Sequence, residues 1–352
     1  MKSHNILYSN GHLPALKLLD RHLKSKQYLG SRFFILGDSN TIDHCLPLLV
    51  SEVGALQESE FFEVEAGEGC KDLAVAENLW LGLMESGADR NAVIINLGGG
   101  AVCDLGGFAA AAYKRGIRYI NVPTTLLAMV DAAVGGKTAI NVGDIKNQAG
   151  FFYLPQRVCI EPAFLQTLPQ RELLSGTFEM AKTFAVADKE RYSQFCRLWQ
   201  NDFSIGEEMI YACANIKDQI TKRDFKDTGE RKILNFGHTF GHAIEGAMLK
   251  YGKDALSHGE AVGLGMVCAM YLSTKKTGLP EKVYGDFAQK VRSLLGKQHF
   301  TPKTMDTIIY NMYADKKNAV GEIRCVLLKD IGEAVCDISV SEEEIRDALG
   351  VV

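Results

Sequence analysis

Over its first 150 residues the chain alternates short β-rich runs with helical patterns, and this alternation restricts the possible folds more than any other feature. The β-rich runs stand at 5–9, 32–36, 60–65, 92–97 and 117–122, and helical patterns at 13–23, 41–50 and 71–85 separate them. Strands that alternate with helices build a parallel sheet with helices on its faces. After about residue 165 helical patterns dominate, at 171–198, 207–222, 235–249, 259–276 and 281–295. A hairpin is expected from 322–328 and 333–338 around Asp330-Ile331-Gly332, then a helix opened by a capping box, Ser341 with Glu344. The patterns predict an α/β N-terminal domain with a Rossmann-like parallel sheet over 1–160. A mainly α-helical domain is expected over 161–352, with the boundary within 155–169. Ligands of such sheets sit beyond the C-terminal ends of the strands, so the crevice between the domains is the expected site.

Composition removes several function classes. Hydrophobic residues make up 47% and charged residues 23% of 352, which is globular rather than disordered. A net charge of −4 argues against a nucleic-acid or anionic-membrane binder. The longest apolar stretch, 261–272, is too short to span a bilayer. Nine scattered cysteines without a CxxC argue against a disulfide framework or a cysteine zinc site, and a reducing, cytoplasmic setting is expected.

The run 92–97 ends in Gly98, Gly99 and Gly100, with Asp104, Gly106 and Gly107 in the helical segment that follows. Glycines here let a backbone approach a phosphate at a helix N-terminus, or serve close packing of helix on strand. The spacing is not GxGxxG. Thr124 and Thr125 follow the next strand and can contact a cofactor or cap a helix. Gly136-Lys137-Thr138 resembles the end of a Walker loop, but Asp131 stands where that loop requires glycine. Lys137, Lys146 and Asn147, with Lys114 and Arg115 upstream, gather anion-binding groups among glycine-rich segments. His238 and His242 are four apart and share a helix face, and His258 begins another helix. Such a set suits Zn²⁺, although spacing does not say which two or three bind it. HTFGH lacks the glutamate of HExxH, so a zincin protease is disfavoured. Glu179 is a candidate carboxylate ligand, three residues before Lys182.

Taken in order, GDSN (37–40), EGCK (68–71), GGGAVCDLGGFAAAAYKRG (98–116), VPTTLLAMVDAAVGGKTAIN (122–141), GTFEMAK (176–182), LNFGHTFGHAIE (234–245), HGEAVGLGM (258–266) and DKK (315–317) resemble the 3-dehydroquinate synthase family. The resemblance runs collinearly over nearly the whole chain. It implies an NAD-binding α/β domain joined to a helical domain. It also implies conversion of 3-deoxy-D-arabino-heptulosonate 7-phosphate into 3-dehydroquinate and phosphate, with NAD and a divalent metal, zinc or cobalt. The steps implied are transient oxidation, phosphate elimination, re-reduction, ring opening and an intramolecular aldol closure.

Carried onto this sequence, the resemblance implies Glu179, His238 and His258 as metal ligands, with His242 facing substrate. Lys137, Asn147 and Lys317 would hold the phosphate, and Lys182, Lys217, Arg231 and Asn235 the carboxylate and hydroxyls. Arg115 would reach the site of a neighbouring subunit, making a homodimer the working unit. NAD would contact Asp38, Asn40, Glu68, Lys71, Gly98, Gly99, Gly100, Asp104, Thr124, Thr125, Asp131 and Lys146. Cys103, Phe225 and Asp227 depart from the family's usual residues. Related sugar-phosphate cyclases and glycerol-dehydrogenase-like oxidoreductases are the alternatives. The latter would not need the phosphate-binding set.

Overall fold

The computed structural model describes residues 5–9, 11–143, 145–201, 205–249, 252, 255–314 and 322–352. It divides into two compact units, residues 1–169 with 210–226, and residues 170–209 with 227–352.

In the first unit, β1 (Ile6–Leu7), β2 (Phe33–Asp38), β3 (Glu60–Val64), β4 (Val93–Gly98), β5 (Arg118–Pro123) and β8 (Arg157–Cys159) form one sheet, ordered β1-β8-β5-β4-β2-β3. All its pairings are parallel. Every residue of β4 is buried, as a central parallel strand covered on both faces requires. Helices α1 (Ala15–Leu23), α2 (Ser39–His44), α3 (Leu46–Glu52), α4 (Leu73–Glu85) and α5 (Gly100–Ala112) connect the early strands. The chain steps from β2 outward to β3 and then returns to β4 on the other side of β2. The C-terminal ends of β2 and β4 are therefore the topological switch, where doubly wound sheets bind ligands. The helix expected over 41–50 is two helices. Pro47, near the start of α3, has no N–H to continue the ladder.

Between β5 and β8 lies an antiparallel hairpin, β6 (Lys137–Val142) and β7 (Ile145–Phe152). Lys137 thus opens a strand, whereas a Walker lysine opens a helix. Gly135 (φ +101°) and Gly136 (φ +67°) make the turn into it. Helix α8 (Glu207–Arg223) was expected in the second domain, yet residues 210–226 group with the first unit. Tyr211 stacks on Tyr8 at 4.7 Å, Lys217 pairs with Asp131, and Phe225 meets Phe152 edge-on.

The second unit holds α6 (Gln170–Ala187), α7 (Lys189–Asn201), α9 (His238–Met248), α10 (His258–Lys276), α11 (Glu281–Leu295), α12 (Pro302–Ala314), the hairpin β9 (Ile323–Asp330) and β10 (Glu333–Val340), and α13 (Glu342–Gly350). The single helix expected over 171–198 breaks because the Asp188 carboxylate accepts from the Arg191 N–H and caps α7. Helix α10 is buried nearly all round, which makes it the central element of this unit. Its glycines let neighbouring backbones touch. A Cβ at Gly259 would fall 2.1 Å from the Ser175 carbonyl, and one at Gly265 equally close to that of Gly237. The capping box Ser341–Glu344 forms as expected. Among the described residues no helix is long and apolar enough to cross a membrane.

Candidate active site and metal centre

At the sheet switch, the Asp38 carboxylate accepts from the Thr41 N–H at 2.9 Å and caps α2, with Asn40 exposed in its first turn. Gly98, Gly99 and Gly100 lead from β4 into α5, and the Thr124 N–H donates to the Gly98 carbonyl. The glycines further along serve packing. A Cβ at Gly106 would stand 1.8 Å from Asn96 Oδ1, and one at Gly107 2.4 Å from Thr138. Cys103 is buried beneath the loop, its Sγ 3.8 Å from the Gly98 carbonyl. The Thr125 hydroxyl accepts from the Ala128 N–H, so it caps the helical turn that carries Asp131.

Five polar residues, from the turn before α4, from α5 and from the hairpin, meet in one cluster. Lys71, whose side chain is 4% exposed, pairs with Asp104 at 2.8 Å and Glu68 at 3.3 Å, and also donates to Asn147 Oδ1. Asn141 Nδ2 donates to Glu68, and its Oδ1 accepts from the Asn147 N–H. Burial alone would lower Lys71, but Asp104 and Glu68 hold it above its ordinary value. Burial raises Asp104, and Lys71 offsets this only in part. Asn147, at φ +56°, takes the left-handed conformation that asparagine tolerates better than most residues. Expected as a phosphate ligand, Asn147 is thus joined to the cluster expected to hold NAD. Asn141 was not singled out beforehand.

Lys217 donates to the Asp131 carbonyl at 2.7 Å and pairs with its carboxylate at 2.8 Å. Lys137 and Lys146 are exposed on the hairpin. Arg115 is exposed in a turn where Lys114 (φ +49°), Arg115 (φ +67°) and Gly116 (φ +111°) are consecutively left-handed. Phe225 packs at 5.6 Å from Phe152, and Lys226 lies 4.8 Å over the Phe152 ring.

In the second unit, Glu179 is fully buried on α6 with Lys182 one turn on, their Oε2 and Nζ 2.5 Å apart. The other carboxylate oxygen, Oε1, lies 3.4 Å from His238 Nε2 and 3.5 Å from His258 Nε2. The donor nitrogens of His238, His242 and His258 all lie within 4.8 Å of one another. His242 is exposed, whereas His238 is buried. Two ligands held tetrahedrally at ~2.0–2.1 Å from one zinc ion stand about 3.4 Å apart. Glu179 with His238 and His258 therefore fits a divalent cation by donor chemistry and by the two carboxylate–imidazole separations, and His242 lies close enough to the other two imidazoles to join them.

The rings are well anchored. Ser257 and Glu260 form a capping box at the start of α10, and the Ser175 hydroxyl accepts from the Gly259 N–H. Arg171 binds both Glu260 oxygens and the Ala255 carbonyl. Burial alone would raise Glu179, but Lys182 and the two imidazoles hold it well below the usual carboxylate range. Burial lowers His238 and favours its neutral, ligating form. Burial opposes a charge on His258 too, yet Glu179 and Glu245 push it up to about 10, so a cation on Nε2 competes with that proton. Arg231 is buried and Asn235 half-buried in the turn Glu230–Asn235 before α9. Lys317 lies outside the described residues.

The chain matches two family descriptions in succession, 3-dehydroquinate synthase N-terminal over residues 61–175 and 3-dehydroquinate synthase C-terminal over 176–318. It is 40% identical over 334 residues to the 3-dehydroquinate synthase of Parabacteroides distasonis, covering 94% of this chain and 93% of that one. Among solved structures it is similar to ValA, a 2-epi-5-epi-valiolone synthase from Streptomyces hygroscopicus with NAD⁺ and Zn²⁺ bound. There the TM-score is 0.82 at 26% identity, over 99% of this chain and 96% of that one. The fold is also that of a 2-deoxy-scyllo-inosose synthase complexed with carbaglucose-6-phosphate, NAD⁺ and Co²⁺, with TM-score 0.81 at 23% identity over 98% and 95% of the two chains. With both halves matched in order and a relative of this identity spanning nearly all of it, the chain belongs to the 3-dehydroquinate synthase family.

Proposed function

We infer that this enzyme converts 3-deoxy-D-arabino-heptulosonate 7-phosphate into 3-dehydroquinate and phosphate, a lyase step of the shikimate pathway, using NAD and a divalent metal. One observation carries the reading. A chain matched to that family along residues 61–318 keeps a buried carboxylate within 3.5 Å of two imidazoles, as ligands of one cation would be spaced. When bound, NAD supplies a reversible hydride acceptor and the metal, zinc or cobalt, supplies Lewis-acid stabilisation of negative charge.

Glu179, His238 and His258 hold the metal, and Lys182 balances the charge of Glu179. Lys182, Lys217, Arg231 and Asn235 orient the substrate carboxylate and hydroxyls. Lys137, Asn147 and Lys317, assisted by His242, hold the phosphate, whose own oxygens take the proton lost in elimination. Asp38, Asn40, Glu68, Lys71, the Gly98 to Gly100 turn, Asp104, Thr124, Thr125, Asp131 and Lys146 form the NAD site. Arg115 completes the phosphate site of a second copy, so the working unit is a homodimer in the cytoplasm.

The test supplies the heptulosonate phosphate, NAD and zinc to the purified enzyme. Equimolar phosphate and dehydroquinate are expected. Phosphate with a different carbocycle would mean a sibling cyclase, and no phosphate release would reject the reading. Chelation should abolish activity, and zinc or cobalt should restore it. His258→Ala should lose metal, whereas His242→Ala should keep metal and lose turnover. Arg115→Ala and Lys137→Ala subunits, each inactive alone, should regain activity on mixing. No recovery despite subunit exchange would remove Arg115 from the partner's site.

A further inference from the structure

His238, His242 and Glu245 stand at i, i+4 and i+7 on α9 and share one face. Glu245 is only 8% exposed, and its Oε2 lies 3.0 Å from Nδ1 of His258, across from α9 on α10. A proton shared with Glu245 occupies Nδ1, so Nε2, 3.5 Å from Glu179 Oε1, is the nitrogen left to bind a cation in place of its proton. His238 has the same plan with a neutral anchor, since its Nδ1 lies 3.2 Å from the Phe236 carbonyl while its Nε2 faces the same Glu179 oxygen. The two imidazoles differ in what holds them. The His238 anchor is backbone two residues away. His258 is the first residue of its helix, its side chain is a third exposed, and its anchor is a carboxylate from another helix.

We propose that Glu245 is a positioning residue for the metal centre, the outer carboxylate of a carboxylate–histidine–metal triad through His258. The proposal rests on the reading of His258 as a metal ligand. Glu245 selects the tautomer, fixes the ring plane and raises the basicity of Nε2.

The test measures Zn²⁺ affinity by competition with a chromophoric chelator, and the Co²⁺ absorption spectrum, for wild type, Glu245→Ala, Glu245→Gln and His258→Ala. Melting temperatures are recorded in chelator. Glu245→Ala should weaken zinc binding ~10- to 100-fold and alter the cobalt spectrum. Glu245→Gln keeps an acceptor oxygen without the charge, and should lose less than Glu245→Ala. His258→Ala should lose more than either. Zinc affinity equal to wild type in the glutamate variants, with His258→Ala deficient, would overturn the proposal and leave the ligand assignment standing. A lower melting temperature with unchanged zinc affinity would do the same, because Glu245 would then be a structural ion-pair partner. Wild-type affinity in His258→Ala would overturn the ligand assignment itself. If Glu245→Ala does not fold, Glu245→Gln decides, since unchanged affinity and an unchanged cobalt spectrum would reject the proposal.

Discussion

The two polar clusters of the molecule are built by different means. Glu179, Lys182, His238 and His258 are carried by three helices whose backbones touch at glycine, and the Glu179 and Lys182 side chains are each 1% exposed. Lys71, Asp104, Asn141 and Asn147 are carried by a turn, a helix and a hairpin whose second strand is almost wholly exposed. Low dielectric around the first cluster strengthens each interaction and makes any partial removal expensive. The second is wetter, and its geometry is set by backbone turns as much as by charge. The first cluster should therefore fail as a unit, and the second should weaken by degrees.

The largest expected effect follows from removing one member of the buried pair. Glu179→Ala leaves the Lys182 ammonium buried, so urea unfolding should register a loss of ~3–5 kcal/mol. Adding Lys182→Met should restore most of that stability but no metal binding. If the double variant is as unstable as the single, the lost stability does not come from the stranded charge.

The equivalent cut in the other cluster should be milder. Lys71→Met removes charge-assisted hydrogen bonds to Asp104 and Asn147, for about 1.5–3 kcal/mol. Calorimetry should show weaker NAD binding and unchanged zinc binding. Equal losses from Lys71→Met and Glu179→Ala would erase the distinction between the clusters.

Close approach can be probed separately from charge. Gly259→Ala and Gly106→Ala should each lose ~1–3 kcal/mol through overpacking. The first should impair zinc affinity, because it shifts the start of α10 against Ser175. The second should impair NAD affinity, because it pushes α5 away from Asn96. Crossed effects would contradict this division.

The smallest effect concerns backbone conformation. Asn147→Gly keeps access to φ +56° and should lose under ~1 kcal/mol, whereas Asn147→Val should lose more, because a β-branched residue disfavours that region. Similar melting temperatures for the two would show that the conformation of residue 147 does not matter.

These contrasts also explain what was legible in the sequence. Five of the six strands of the sheet and most helices carry period and punctuation, and they formed within a few residues of expectation, whereas β8, three residues long inside the segment expected as the domain boundary, is too short to show a period. The β6–β7 hairpin gives no strand signal among its glycine-rich segments, because nearly every β7 residue is exposed and the two-residue alternation that marks a strand is lost. The helix breaks at Cys45 and Asp188 depend on a proline and a cap inside otherwise continuous patterns. The fold-partner of 210–226 was not legible, because Tyr211, Lys217 and Phe225 find their partners more than 70 residues away. The histidine set was visible from i, i+4 spacing, but the choice among its members came from resemblance. Glu245 completes that stripe at i+7 and was overlooked, since a glutamate on a helix usually reads as a solvated charge.

On the proposed function, oxidation in this enzyme serves elimination and is reversed within each turnover. The most direct measurement follows phosphate, product and absorbance at the NADH band together, with NAD at the concentration of enzyme and substrate in large excess. Many turnovers per NAD, one phosphate per dehydroquinate and no steady growth of NADH are expected. NADH accumulating in step with substrate consumption would contradict it and make the enzyme a dehydrogenase.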